Sequence, residues 1–188
     1  MDMFEGVGRR HAKTGTLTSI GANSLNGNER KILFRNNGDG TFTDVAYVND
    51  ADRVEDGRGL SVFDYDGDGQ QDLLMRNYRQ PAELLRNLGG GGHWIEIALV
   101  GVRSNRDAVG ARVAVRTGRG WQTREVSAGS GYLSGQSLVQ HFGLGADVQA
   151  SEVEIEWPSG TRTSQHALAA GRRYVVVEGA DTPALAAR

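Results

Sequence analysis

Cysteine is absent from this 188-residue sequence, which excludes disulfides, thiol catalysis and cysteine-ligated zinc. A surplus of one charge is missing too. The formal net charge is −2, so bulk charge gives no argument for a nucleic-acid partner. No apolar run is long enough to span a membrane, and residues 1–18 lack the apolar stretch of a signal peptide. The expectation is either a cytosolic chain or the C-terminal piece of a longer exported protein. An exported protein without disulfides needs another staple, and calcium can serve. Proline is scarce, with three residues, whereas glycine is abundant, with 27. That is about twice average usage. Without a Gly-X-Y period, this pairing points to many tight turns between short strands.

Charge is unevenly spread along the chain. Residues 39–72 carry ten acids against Arg53 and Arg58, whereas residues 103–124 carry six arginines against Asp107. Residues 1–30 are polar and aperiodic and read as an irregular segment. The hairpin signal comes next: Asn37-Gly-Asp-Gly40 sits between Lys31–Asn36 and Thr41–Val45, and Asn-Gly and Asp-Gly tolerate positive φ. Leu60–Phe63 and Leu73–Met75 flank a loop of acids and are too short for helices. Leu84-Leu-Arg-Asn87, followed by glycines, repeats the apolar-apolar-Arg-Asn-turn phrase of Leu33-Phe-Arg-Asn36 after 51 residues, a spacing of about one propeller blade.

Beyond Gly92 the pattern alternates with period two. Ile95, Ile97 and Leu99 form one inward set, Val109, Ala111, Val113 and Val115 a second, and Val153, Ile155 and Trp157 a third. Val175–Val177 forms a last strand. Thr117-Gly118, Gly143-Leu-Gly145 and Pro158-Ser-Gly160 read as turns, Ser164–Ala170 as about two turns of helix, and residues 180–188 as a flexible tail. The reading is all-β: a partial propeller-type repeat of about one blade plus hairpin (31–92), joined to an antiparallel β-sandwich or small barrel (93–179).

The acidic loop carries the strongest chemistry. Asp64, Asp66, Asp68 and Asp72 occupy positions 1, 3, 5 and 9 of a loop whose Gly67 and Gly69 permit a tight curl. Four carboxylates and the Gln70 carbonyl are oxygen donors suited to Ca2+, which takes six to eight of them. An EF-hand needs Glu at position 12, where this chain has Met75, and helices on both flanks. Other sites read more weakly. His11, His93, His141 and His166 have no ligand spacing, and Ser130 lacks the first glycine of a nucleophile elbow. Glu154 and Glu156 read as a wet strand face, so no catalytic residue is expected and the chain is not read as an enzyme. Arg112, Arg116 and Arg124, expected on outward strand faces, are the candidate contacts for an acidic polysaccharide.

The phrase Asp-x-Asp-Gly-Asp-Gly-x-x-Asp over 64–72, with Leu84-Leu-Arg-Asn87 before a glycine turn, resembles the FG-GAP/VCBS repeats of integrin-like β-propellers. That resemblance implies calcium held by Asp64, Asp66, Asp68, the Gln70 carbonyl and Asp72. The second half resembles the ASPIC/UnbV domain through Asn105–Arg112, Arg124–Ser134, His141-Phe-Gly-Leu-Gly145 and Trp157-Pro-Ser-Gly160. Together they imply a non-catalytic recognition module that is extracellular, periplasmic or at the cell surface. Its partner would be a protein or carbohydrate, together with upstream repeats of the same protein. The alternatives are an accessory protein of a biosynthetic pathway and a truncated fragment of a larger propeller.

Overall fold

The computed structural model describes residues 29–89, 91–132 and 134–186; the irregular segment expected over 1–30, with His11, lies almost wholly outside them. Thirteen strands and one 3-10 turn, Tyr47–Asn49, make up the regular structure of the described residues. Contacts group them into two units, residues 29–60 with 74–85 and residues 61–73 with 86–186. The acidic loop, residues 64–72, belongs with the second unit.

In the first unit, β1 (Phe34–Asn36) and β2 (Phe42–Asp44) form the expected hairpin, with Phe34 opposite Asp44 and Asn36 opposite Phe42. The turn closes because Gly38 and Gly40 take φ of +85° and +87°, values that a side chain would penalise. Asp39 Oδ1 accepts hydrogen bonds from the Thr41 hydroxyl at 2.6 Å and the Thr41 N–H at 2.9 Å. These bonds hold the Asp39 carboxyl below its ordinary range. Strands β3 (Gly57–Phe63), β4 (Asp72–Asn77) and β5 (Glu83–Leu85) form a three-stranded sheet in chain order, of which residues 57–60, 74–77 and 83–85 belong to this unit. Met75 is buried in β4, which explains an apolar residue where an EF-hand would place a ligand.

The second unit is a sandwich of two four-stranded sheets, and neither closes into a barrel. The first runs in the order β11 (Arg162–Ala169), β10 (Gln149–Glu156), β7 (Arg112–Thr117), β8 (Gly120–Glu125). The second runs β13 (Ala184–Leu185), β12 (Arg172–Val177), β6 (His93–Val100), β9 (Gln140–Gly145). Alternation places Val113 and Val115 opposite Ile155 and Val153 on one inner face. Ile95, Ile97, Phe142 and Val176 belong to the same core, every one of them without exposed surface. Burial of such side chains, each contributing about 1.5–3 kcal/mol, holds the two sheets together. Trp157 is buried and donates its indole N–H to the Thr163 hydroxyl at 2.9 Å.

Three expectations need correction. The helix over 164–170 is strand β11, paired along β10. Gln165 and Leu168 are both buried three residues apart, which imitates a helix face; the strand reaches both because Ala167, at φ +54°, breaks the alternation. The sandwich is not wholly antiparallel, since β6 and β12 pair in parallel; alternation encodes which face is buried and says nothing of a partner's direction. The Gly143–Gly145 segment ends strand β9 instead of making a free turn. A Cβ on Gly92 would lie 2.8 Å from the Gly145 Cα, so glycine is required where these backbones meet. Within 180–188, Ala184–Leu185 adds β13 to the edge of β12.

One end of the sandwich is organised by a buried acid that sequence reading passed over. Glu178 Oε2 accepts the N–H groups of Val102, Arg103 and Ser104 at 2.7–2.8 Å. Its Oε1 accepts from the hydroxyls of Ser104, Ser159 and Thr161. Burial would raise this carboxyl, but the Ser104 N–H, the Ser159 hydroxyl and the other two N–H groups outweigh it. The group is held far below the usual carboxylate range.

Candidate metal centre

The loop that joins β3 to β4 is curled by its own carboxylates. Asp64 Oδ1 accepts from the N–H groups of Gly67 and Asp68 at 2.8 and 3.1 Å, and Oδ2 accepts from Gly69 at 2.8 Å. Gly67 and Gly69 take φ of +77° and +86°, which only glycine adopts without strain. Asp72 is 1% exposed. Its Oδ2 accepts the Tyr65 N–H at 2.8 Å, and its Oδ1 accepts the Asn87 N–H at 2.6 Å. Ligand oxygens of Asp64, Asp66 and Asp72 all lie within 4.8 Å of one another.

These donors fit a hard divalent cation. They are anionic oxygens, they converge, and one of them is buried, where an uncompensated charge is costly. Of the sequence-predicted ligands, Asp64, Asp66 and Asp72 are brought together, while Asp68 stands aside, with Oδ1 accepting the Gln70 N–H at 2.8 Å. Arg86 supplies the positive charge at the loop. Its Nη2 is 2.5 Å from Asp66 Oδ2 and 3.6 Å from Asp68 Oδ2, on a side chain 54% exposed. The Arg-Asn of the repeated phrase thus has two roles, Arg86 as counter-charge and Asn87 as backbone donor to Asp72.

The loop is also seated on the sandwich by contacts within the second unit. His141 of β9 places Nε2 2.9 Å from the Gly69 carbonyl; a carbonyl can only accept, so the proton is on Nε2. The Trp94 ring stacks on the His141 ring at 6.0 Å and 18°. Gln136 Oε1 accepts the Val62 N–H at 2.8 Å. The sequence carries no signal for this role of Trp94, because no local pattern encodes the partner of its ring.

The arginine candidates separate. Arg112 and Arg116 share the outer face of β7 with Ala114. Arg116 lies 3.7 Å from Glu152 and over the Trp121 ring at 5.8 Å. Arg124 pairs across from the buried Val113 on the opposite side of the sheet. Its Nε donates to the His141 carbonyl at 2.7 Å, with its guanidinium over the Phe142 ring. Ser130 is exposed, and Glu154 and Glu156 face away from the core.

Residues 20–75 match the model of the FG-GAP-like repeat, and residues 101–183 match that of the ASPIC and UnbV domain. The chain belongs to the proteins in which such a repeat is followed by an ASPIC and UnbV domain. Among its relatives is human cartilage acidic protein 1, 35% identical over 156 residues, which are 79% of this chain and 23% of that protein. The mouse protein of the same name is 36% identical over 143 residues, or 72% of this chain and 21% of that one. The Xenopus tropicalis protein is 36% identical over 121 residues, or 60% and 18%. The chain thus spans less than a quarter of the length of these relatives. No helix among the described residues is long and apolar enough to cross a membrane.

Proposed function

We propose that this chain is a calcium-binding, non-catalytic recognition module of an extracellular or cell-surface protein, in which the metal has a structural role. The observation that carries the reading is the convergence of Asp64, Asp66 and Asp72 within 4.8 Å on a loop already curled by its own backbone N–H groups. Asp68 and the Gln70 carbonyl complete the proposed ligand set. The relatives' name, with its reference to cartilage, supports the extracellular setting. In the first unit, Phe34 and Phe42 are each 61% exposed and Tyr47 is 83% exposed. Further repeats of the same kind would cover such side chains, and they are the proposed partners on that side.

Calcium bound only by the folded chain stabilises it by mass action, by about 2.7 kcal/mol at a hundredfold excess over Kd. Adding a calcium chelator is therefore expected to lower the melting temperature by several degrees. The double variant Asp66→Asn, Asp68→Asn is expected to melt identically with and without chelator. A native melting curve indifferent to chelator would show that the loop holds no calcium.

Arg86 gives a second, opposite handle. A guanidinium at the Asp66 carboxylate competes with an incoming cation, so Arg86→Gln is expected to tighten calcium binding about three- to tenfold. The same substitution removes a counter-charge and lowers the chelator-treated melting temperature. Titration against a chelating dye reads the affinity, and weaker binding in Arg86→Gln would make Arg86 a support of the site and not a competitor.

A further inference from the structure

The outer face of the β11-β10-β7-β8 sheet carries a trough of about 560 Å³, a volume typical of ligand sites. Strand register explains it. One cross-strand row is built of short side chains, Ser164, Ala114 and Thr123, with Glu154 among them. The next row towards one end is longer, Arg162, Glu156 and Arg112, with Arg162 3.1 Å from Glu156. On the other side stands Trp121, 46% exposed and held by the Arg116 guanidinium. A low row between two tall ones leaves a groove that runs across the strands.

Its chemistry selects a ligand class. Arg112 and Glu154 line the trough, and among the described residues neither side chain has a hydrogen-bond or ion-pair partner. One offers a fork of donors and the other a pair of acceptors. An extended peptide adds to a sheet through free backbone groups at an edge, but here β7 and β10 are interior strands whose backbone groups are paired on both sides. A polyanion fits poorly as well. Glu152, Glu154, Glu156 and Glu125 outnumber Arg112, Arg116 and Arg162 on this face. What remains is a neutral ligand dense in hydroxyl groups, with apolar C–H faces that can lie on an indole ring. Four strands at about 4.8 Å spacing span roughly 14 Å, the reach of a short oligosaccharide and not of one sugar ring.

We infer that this trough binds a neutral polysaccharide chain, with Trp121 as the stacking platform and Arg112 and Glu154 as hydrogen-bonding groups to its hydroxyls. The inference deepens the recognition reading above by naming its ligand class; of the arginine set it keeps Arg112, which lines the trough, and leaves out Arg124, which lies on the opposite side of the sheet. The test is electrophoresis of the full chain through native gels containing xylan, mixed-linkage β-glucan, galactomannan or dextran, with dextran sulfate as the polyanion. At least one neutral polymer is expected to retard the chain. Trp121→Ala and Glu154→Ala are expected to weaken that retardation at least tenfold in apparent Kd, while their melting curves stay native because both side chains are exposed. Retardation by none of the neutral polymers, retardation by dextran sulfate alone, or native retardation of Trp121→Ala would each overturn the proposal. Chelator melts on the same preparations keep the two readings separable. A normal chelator response without retardation discards the trough and leaves the calcium reading standing.

Discussion

Replacing Gly69 by alanine is expected to destabilise the second unit by about 3–5 kcal/mol, at the top of the range for single substitutions, and to abolish the chelator-sensitive part of the melt. Two costs coincide at this position. Gly69 sits at φ +86°, and a left-handed backbone costs an L-residue about 1–2 kcal/mol. A Cβ would also lie 1.7 Å from the Trp94 indole nitrogen and 2.0 Å from Cε2. The obstacle is a rigid ring stacked on His141, so it cannot step aside as a flexible side chain would. Gly67 is the internal control, because it shares the left-handed backbone at φ +77° but has nothing within 4 Å of the place a methyl group would take. Gly67→Ala is expected to show the backbone cost alone. The ring is isolated by a double-mutant cycle: Trp94→Ala in the Gly69→Ala background removes the clash, so the pair is expected to be less destabilised than the sum of its members. Denaturant unfolding reads all four proteins. If Gly69→Ala proves as mild as Gly67→Ala, the loop is not seated on Trp94 as described.

That pair of glycines marks the limit of what the sequence discloses. Both read as turn glycines, and their need for positive φ follows from a loop of alternating acids. Only the fold distinguishes them, because Trp94 arrives from a strand 25 residues further on. The same division holds elsewhere. Asp64, Asp66 and Asp72 were legible as a ligand group because nine consecutive residues bring them together, and the inner faces of β6, β7 and β10 were legible because alternation is local. Arg86 belonged to a visible repeat, but its place at the Asp66 carboxylate depends on how β5 returns the chain to the loop. The trough is assembled from four strands, and each contributes one or two ordinary surface residues. Period-two patterns fix which side of a strand faces water, and cross-strand register decides which side chains become neighbours there.

Glu178 is the other such residue, and its removal is expected to lower the melting temperature by on the order of 10 °C. Glu178→Ala leaves the N–H groups of Val102, Arg103 and Ser104 without their acceptor, and donors left unpaired in a partly buried site are costly. It also releases the hydroxyls of Ser159 and Thr161 in the turn between β10 and β11. The loop after β6 and that turn would then lose their common anchor at the end of β12. Glu178→Gln is expected to fall between the two, since its carbonyl can face the three N–H groups while its amide donates to the hydroxyls. The direction of the pH dependence follows from the depressed carboxyl. In the unfolded chain Glu178 takes up a proton near its ordinary value of 4.5, but in the folded chain only at much lower pH. Its contribution is therefore fully present above pH 4.5 and is lost as the pH falls below that value towards the folded-state pKa. Glutamine has no such titration. The gap in melting temperature between the native protein and Glu178→Gln is expected to be widest and constant near neutral pH, then to narrow steadily below about pH 4.5. A gap that stays constant through the acid range would mean that the carboxylate's charge contributes nothing and that only the shape of the side chain matters at this end of the sandwich.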